Sequence, residues 1–403
     1  MKKVLKWTAI VFGILIIIIV SISFLFKNKI IEFSKAEANK QLNARLNFGE
    51  IDVSFISSFP DFKLSISNLC ISGINDFEKD TLAFIGKTEL NLDLMSVIKG
   101  EKYKINRISL VDPAIYAHVL KDGKANWDIT KPSADTIATD TSASKFNLSL
   151  KSFDISNGRI RYNDESMSLD TKLDQLNFKL AGDFTQDNFI MDIEATIEKY
   201  NLFYGGVHYM ANVKSSVKVK MNMNMPQFKF TFQENEMKLN ELSLAATGYV
   251  AMPTDDIEMD LKFSCPNTEF KSILSLIPVV YSGSISKIQT KGKLALNGFA
   301  KGIYNDSLLP AFGCHLEVAD GMFKYPDLPK SVNNIQVLLD VNSPDANLDH
   351  LKINLERFHA EMGGNPIDMS LRVNTPISDP ALDGNLKGQI NLDRKSTRLN
   401  SSH

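Results

Sequence analysis

From Val217 to Met225 and again from Ile257 to Cys265, apolar and polar residues alternate for nine positions without interruption. Side chains on a β-strand point alternately to opposite faces, so each segment predicts a strand with five apolar groups on one side and four polar groups on the other. At about 3.3 Å per residue, each would run roughly 30 Å. The same period begins earlier, with Ile51, Val53 and Phe55, then Leu64 and Ile66, then Leu90, Leu92 and Leu94, then Ile105, and shifts phase at Ile108 and Leu110. Polar residues at nearly every second position leave one face in water. Strands buried on both faces of a parallel sheet would instead read as unbroken apolar runs. The pattern therefore predicts a mainly β chain of antiparallel sheet with few short helices.

Positive-φ dipeptides punctuate the alternation at Asp122-Gly123, Asn157-Gly158, Asn297-Gly298, Asp320-Gly321, Gly363-Gly364 and Asp383-Gly384, and each predicts a hairpin turn. Two stretches echo one another: Asn157-Gly158-Arg159-Ile160-Arg161-Tyr162 and Asp320-Gly321-Met322-Phe323-Lys324-Tyr325 both read as hairpin starts, either by chance or as parts of a repeated sheet module. Helical spacing appears in two places. Ile30 to Leu46 has no Pro or Gly and predicts a helix, part of a membrane-proximal segment over 27–46. Over Thr268 to Leu276, Phe270, Ile273, Leu274 and Ile277 recur at three-and-four spacing before Pro278 stops the pattern, which predicts a helix that caps or plugs one end of a sheet.

Trp7 to Phe26 carries no charge over twenty residues, enough for a helix of about 30 Å to cross a bilayer once. Lys2, Lys3 and Lys6 precede it, against Lys27 and Lys29 offset by Glu32, so residues 1–6 are expected in the cytoplasm and the body outside it. A β region is expected over 47–129, a flexible polar loop over 130–145 and a second β region over 146–392. Residues 393–403 resemble a translated sequencing adapter and are set aside; without them the formal net charge of −2 becomes −4.

This charge provides no basic field for nucleic acid, and no partner of that class is expected. Cys70, Cys265 and Cys314 are odd in number and widely spaced, with no C-x-x-C pair. No zincin, nucleophile-elbow, phosphate-loop or dinucleotide-loop motif occurs, and the histidines are dispersed, so neither catalytic residues nor a metal or cofactor are expected. His118 and His315 fall at strand phases suited to half-exposed polar residues. Asp255-Asp256, beside Pro253, reads as a solvated turn.

Leu110-Val111-Asp112-Pro113-Ala114-Ile115-Tyr116, followed by Asp122-Gly123-Lys124-Ala125-Asn126-Trp127-Asp128-Ile129, resembles the AsmA family of bacterial envelope proteins, in which a proline-containing strand precedes an acidic-Gly turn and an Asn-Trp pair. The apolar segment 7–26, Phe270 to Pro278 and Gly321 to Pro329 are also similar to that family. The resemblance implies an inner-membrane anchor, a periplasmic body built as a long curved β-groove, and a part in phospholipid movement and outer-membrane protein assembly. It gives Pro113, Asp122, Gly123, Asn126 and Trp127 a structural role, with Trp127 packing beside the turn. Combined with the alternation, it points to Val217, Val219, Met221, Met223, Met225, Ile257, Met259, Leu261 and Phe263 as lining for acyl chains. Phospholipid tails, the inner membrane and other envelope proteins are the expected partners. A rival reading closes the same faces into dry sandwiches that scaffold protein assembly, and a periplasmic hydrolase is disfavoured by the missing nucleophile motifs.

Overall fold

A computed structural model describes residues 39, 42–54, 61–93, 95–96, 103–129, 146–147, 150–254, 256–265, 269–274, 289–305, 307–324 and 330–389. The expected membrane span, the 130–145 loop and the adapter-like tail lie outside them. Among the described residues no helix is long and apolar enough to cross a membrane. The chain divides into two compact units, Met1–Gln186 with Ile193–Asn212, and Asp187–Asp192 with Val213–His403. The division falls within one long hairpin, not at the polar loop.

The first unit contains β1 (Arg45–Asn47), β2 (Ile51–Ser54), β3 (Asp61–Ser72), β4 (Thr81–Asp93), β5 (Tyr103–Val119), β6 (Phe146–Asn147), β7 (Ser152–Asp164) and β8 (Leu169–Ala181). It also holds the outer half of the hairpin formed by β9 (Asn188–Tyr204) and β10 (Val207–Asn224). Both β1 and β2 pair with β3, through Arg45 opposite Ser72 and Ile51 opposite Ile66. Arg45 and Leu46 are therefore strand residues, which corrects the end of the helix expected over Ile30 to Leu46. β3, β4 and β5 pair antiparallel, whereas β5 and β7 run parallel, with Ile108 opposite Phe153 and Ile115 opposite Ile160. β5 also runs parallel to β6, with Tyr103 opposite Phe146, so these two pairings depart from the expected antiparallel order.

The second unit continues from the inner half of the hairpin through β11 (Lys229–Leu239), β12 (Leu242–Ala251), β13 (Ile257–Ser264), β14 (Gln289–Tyr304), β15 (Ala311–Lys324), β16 (Val332–Ser343), β17 (Lys352–Met362), β18 (Asn365–Asn374) and β19 (Ala381–Gly388). Each pairs antiparallel with its predecessor. One short helix, α1 (Phe270–Leu274), interrupts this meander between β13 and β14.

Several expected turns prove to be bends inside strands. Asn157 has φ 54° in the middle of β7, and Asp320 has φ 52° in the middle of β15; the register shifts at both places. These are β-bulges, which place one extra residue on a strand and kink it. A left-handed φ suits Asn and Asp at a bulge as well as at a turn. Glycine follows each because a Cβ at Gly158 would meet Ile155 and one at Gly321 would meet Ile335. The sequence echo is therefore a repeated bulge, one in each unit. Asn297-Gly298 and Asp383-Gly384 also lie within strands, whereas Asp122-Gly123 and Gly363-Gly364 form turns.

Candidate functional site: an apolar sheet face

Residues directly opposite one another in an antiparallel ladder project to the same face, so the register identifies which apolar side chains form a surface. In the second unit one row runs Met223, Phe230, Val250, Met259, and the next runs Met221, Phe232, Gly248, Leu261. The two nine-residue alternations thus contribute to one continuous face through β11 and β12. Beyond β13 the face continues. Phe263 leads through Gly298 and Cys314 to Val341, Ile353, Val373 and Leu382. A parallel row joins Leu294, Val318, Val337, Phe358, Met369 and Leu386. These residues from β14 to β19 were not singled out from the sequence, although Lys293 to Leu296 and Met369 to Val373 alternate.

Cover varies along this face. Val219, Met221 and Met223 are buried, Met223 to 3% exposure, whereas Val217, Met225, Ile257, Met259, Leu261 and Phe263 are half-buried. The deepest cluster lies farther on, where Leu242, Cys265, Phe270, Leu294, Val318, Val332, Ile335 and Ala360 pack together. Its members come from α1 and its flanking segment or from the one ladder, so the helix seals this patch by laying Phe270 on it. Phe263 lies over Gly298, where a Cβ would collide with the ring.

The opposite face is wet. Lys301 Nζ meets Asp260 at 2.9 Å, His315 Nδ1 meets Asp340 at 2.7 Å, and His359 Nδ1 meets Asp368 at 2.7 Å. Tyr249 donates to Glu258 at 2.7 Å, and Lys229 Nζ sits 3.6 Å from the Tyr249 ring centre. Burial pushes the Cys314 thiol pKa up, and the nearby Asp340 charge adds to the shift, which keeps this thiol protonated.

In the first unit the Asp-Gly-x-x-Asn-Trp element has a definite structural task. Asp122 and Gly123 turn the chain at the end of β5, and Lys124 Nζ bridges Asp122 at 3.1 Å and Asp76 at 2.8 Å. The hydrogen bonds to Lys124 hold the Asp122 carboxyl below its ordinary pKa. Asn126, 3% exposed, accepts from the His118 backbone N–H at 3.0 Å and donates to the Tyr116 carbonyl at 2.7 Å. Its side-chain amide thus substitutes for a neighbouring strand on the edge of β5 opposite β7. Pro113 is fully buried after Asp112, which takes φ 51° within β5 without shifting the register against β4 or β7. Trp127 is exposed and tilted against Tyr162 at 6.1 Å, so Asn126, not Trp127, is the buried packing residue of the motif.

His118 is more engaged than its strand phase indicated: Nδ1 lies 2.7 Å from Asp80 and Nε2 lies 3.2 Å from Glu165. It ties together the β3–β4 turn, β5 and the β7–β8 turn. The hydrogen-bonding partners of His118, His315 and His359 are carboxylates rather than serine or cysteine. Among the described residues no group of His, Cys, Asp and Glu is arranged to hold a metal ion.

No curated protein matches this chain, and no solved structure does either. The family model described as the AsmA family matches residues 1–272, from the apolar N-terminal segment through the Asn126 element and both alternating strands to α1. With that match extending over more than half of its length, the chain belongs to the AsmA family.

Proposed function

We propose that the protein is a membrane-anchored, non-catalytic carrier whose apolar sheet face holds phospholipid acyl chains during transfer between envelope membranes, supporting outer-membrane biogenesis. The observation that carries this reading is the row from Met259 through Leu261 to Phe263, which remains half-buried within an otherwise continuous apolar surface. An acyl chain of about sixteen carbons exposes methylenes worth about 0.8 kcal/mol each to water, on the order of 12 kcal/mol in all. An apolar face offsets most of that cost without bond chemistry, while the charged groups behind it keep the sheet hydrated. Family membership supports an anchor at residues 7–26 in the inner membrane with the body in the periplasm.

The test is mass spectrometry of lipids that copurify with the full chain, combined with photo-crosslinking from the apolar face. The expected result is bound phospholipid, with crosslinking lost in Leu261→Asp while the far-ultraviolet circular dichroism is retained. Unchanged crosslinking in that variant sinks the reading. A chain that carries no lipid points instead to a scaffold for outer-membrane protein assembly.

A further inference from the structure

Between Lys199 and Lys214, the fourteen residues Tyr200 to Val213 contain no Asp, Glu, Lys or Arg. It forms the tip of the β9–β10 hairpin. Gly205 and Gly206 take φ 56° and 85°, the two positive-φ positions that a tight hairpin turn requires. Beside them Phe203 is 42%, Tyr204 46%, Val207 41% and Tyr209 52% exposed. The rings of Tyr204 and Tyr209 are only 6.5 Å apart, so water faces a joined aromatic surface rather than scattered side chains.

The neighbouring tip extends this patch, because Gly205 N–H donates to the Ser168 carbonyl at 3.1 Å and the exposed Met167 precedes Ser168. The chain emerging from the N-terminal apolar segment reaches the same end of the first unit. The Glu165 backbone N–H, on the Met167 turn, donates to the Val119 carbonyl at 3.0 Å, and the crossover after Val119 leads to Ile129, whose carbonyl receives the Asn43 N–H at 2.7 Å. Twelve residues, 27–38, lie between Phe26 and Asn39, a span of thirteen residue steps. They reach about 20 Å as a helix and about 45 Å fully extended, which keeps this end of the unit near the bilayer.

We propose that the β9–β10 tip, with Met167 beside it, seats in the interfacial layer of the bilayer spanned by residues 7–26; this rests on reading that segment as an anchor. Phe and Tyr in a stretch that itself carries no Asp, Glu, Lys or Arg suit the zone where headgroups meet acyl chains, since rings enter the apolar side while hydroxyls stay hydrated. The contact would hold the first unit upright on the membrane.

The test uses the full chain in phosphatidylcholine vesicles that contain lipid brominated at a shallow acyl position. One variant carries W7F, W127F and Y204W, so that the only indole reports from the tip. Shallow bromine is expected to cut its emission about twofold, and adding V207D to reverse most of that loss. In the matching control, T185W replaces Y204W and places the indole at the other end of β8, where quenching is expected to be negligible. A separate chain with W127F alone retains Trp7, and its quenching decides the anchor. Quenching of the Y204W indole supports docking of the tip whichever way Trp7 reads. A folded Y204W chain that is not quenched, as judged by circular dichroism, overturns it.

Discussion

The patch beneath α1 and the rows through β13 belong to one ladder, share one face and have similar apolar composition, yet their burial differs sharply. Leu294 is 1% exposed where Phe270 and its helix lie over the sheet, whereas Met259, Leu261 and Phe263 remain half-buried. Alternation in sequence determines which side chains share a face; it says nothing about what covers that face. Five helical residues are enough to turn part of the surface into a core. The same contrast exists within β10, where the buried Met223 is a poor position for a charge intended to leave the fold intact. Leu261 is the better position because its side chain already meets water.

Truncating one leucine in each patch should separate them most clearly. Leu294→Ala leaves a cavity under α1 and is expected to cost about 3 to 5 kcal/mol, whereas Leu261→Ala, already partly hydrated, should cost about 1 kcal/mol. Denaturant unfolding of the detergent-solubilised chain measures both, and equal losses would erase the distinction. Phe270→Ala removes the cover itself and is expected to cost about 3 kcal/mol. Its sharper signature is chemical: Cys265 is buried while Cys70 and Cys314 are half-buried. Thiol labelling of Cys265 should speed up in this variant, and labelling of Cys70 should not change. A smaller loss, about 2 kcal/mol, is expected for Gly298→Ala, because the added methyl meets both the Phe263 ring and the Gly313 carbonyl oxygen. Ring rotation can relieve only the first clash.

Strand positions were legible because a period of two is a strong local signal and one face is mostly polar, with exceptions such as Phe299 and Leu338. The bulges were not, for a specific reason. Asn157-Gly158 and Asp320-Gly321 reveal a left-handed backbone, but the same φ serves a chain reversal and a kink, and only the pairing partners decide between them. The parallel partnership of β5 and β7 was equally hidden, since it depends on how residues 120–151 return and not on either strand's pattern. The resemblance singled out Asn126, yet its hydrogen bonds to both His118 and Tyr116 require coordinates. In the far half of the second unit, Leu294 to Leu296 could have been nominated from alternation alone; their enclosure could not, because Phe270 reaches them from a separate element.

The smallest expected effect concerns the reverse side of the half-buried rows. Lys301 Nζ pairs with Asp260 at 2.9 Å across β13 and β14, one residue from Leu261 but on the hydrated face. Water already solvates both groups: the side chains are 67% and 36% exposed, so the pair gains little Coulomb energy and must restrain two side chains. A double-mutant cycle on Lys301→Ala and Asp260→Ala is expected to give a coupling of about 0.5 kcal/mol or less, falling further in high salt. Lipid copurification should not change in either variant, because neither side chain faces the apolar rows. If Lys301→Ala instead reduced bound phospholipid as strongly as Leu261→Asp, the lysine would be holding headgroups, and the division of labour between the two sides of the sheet would fail. The cycle thus tests whether lipid capture depends on one face alone.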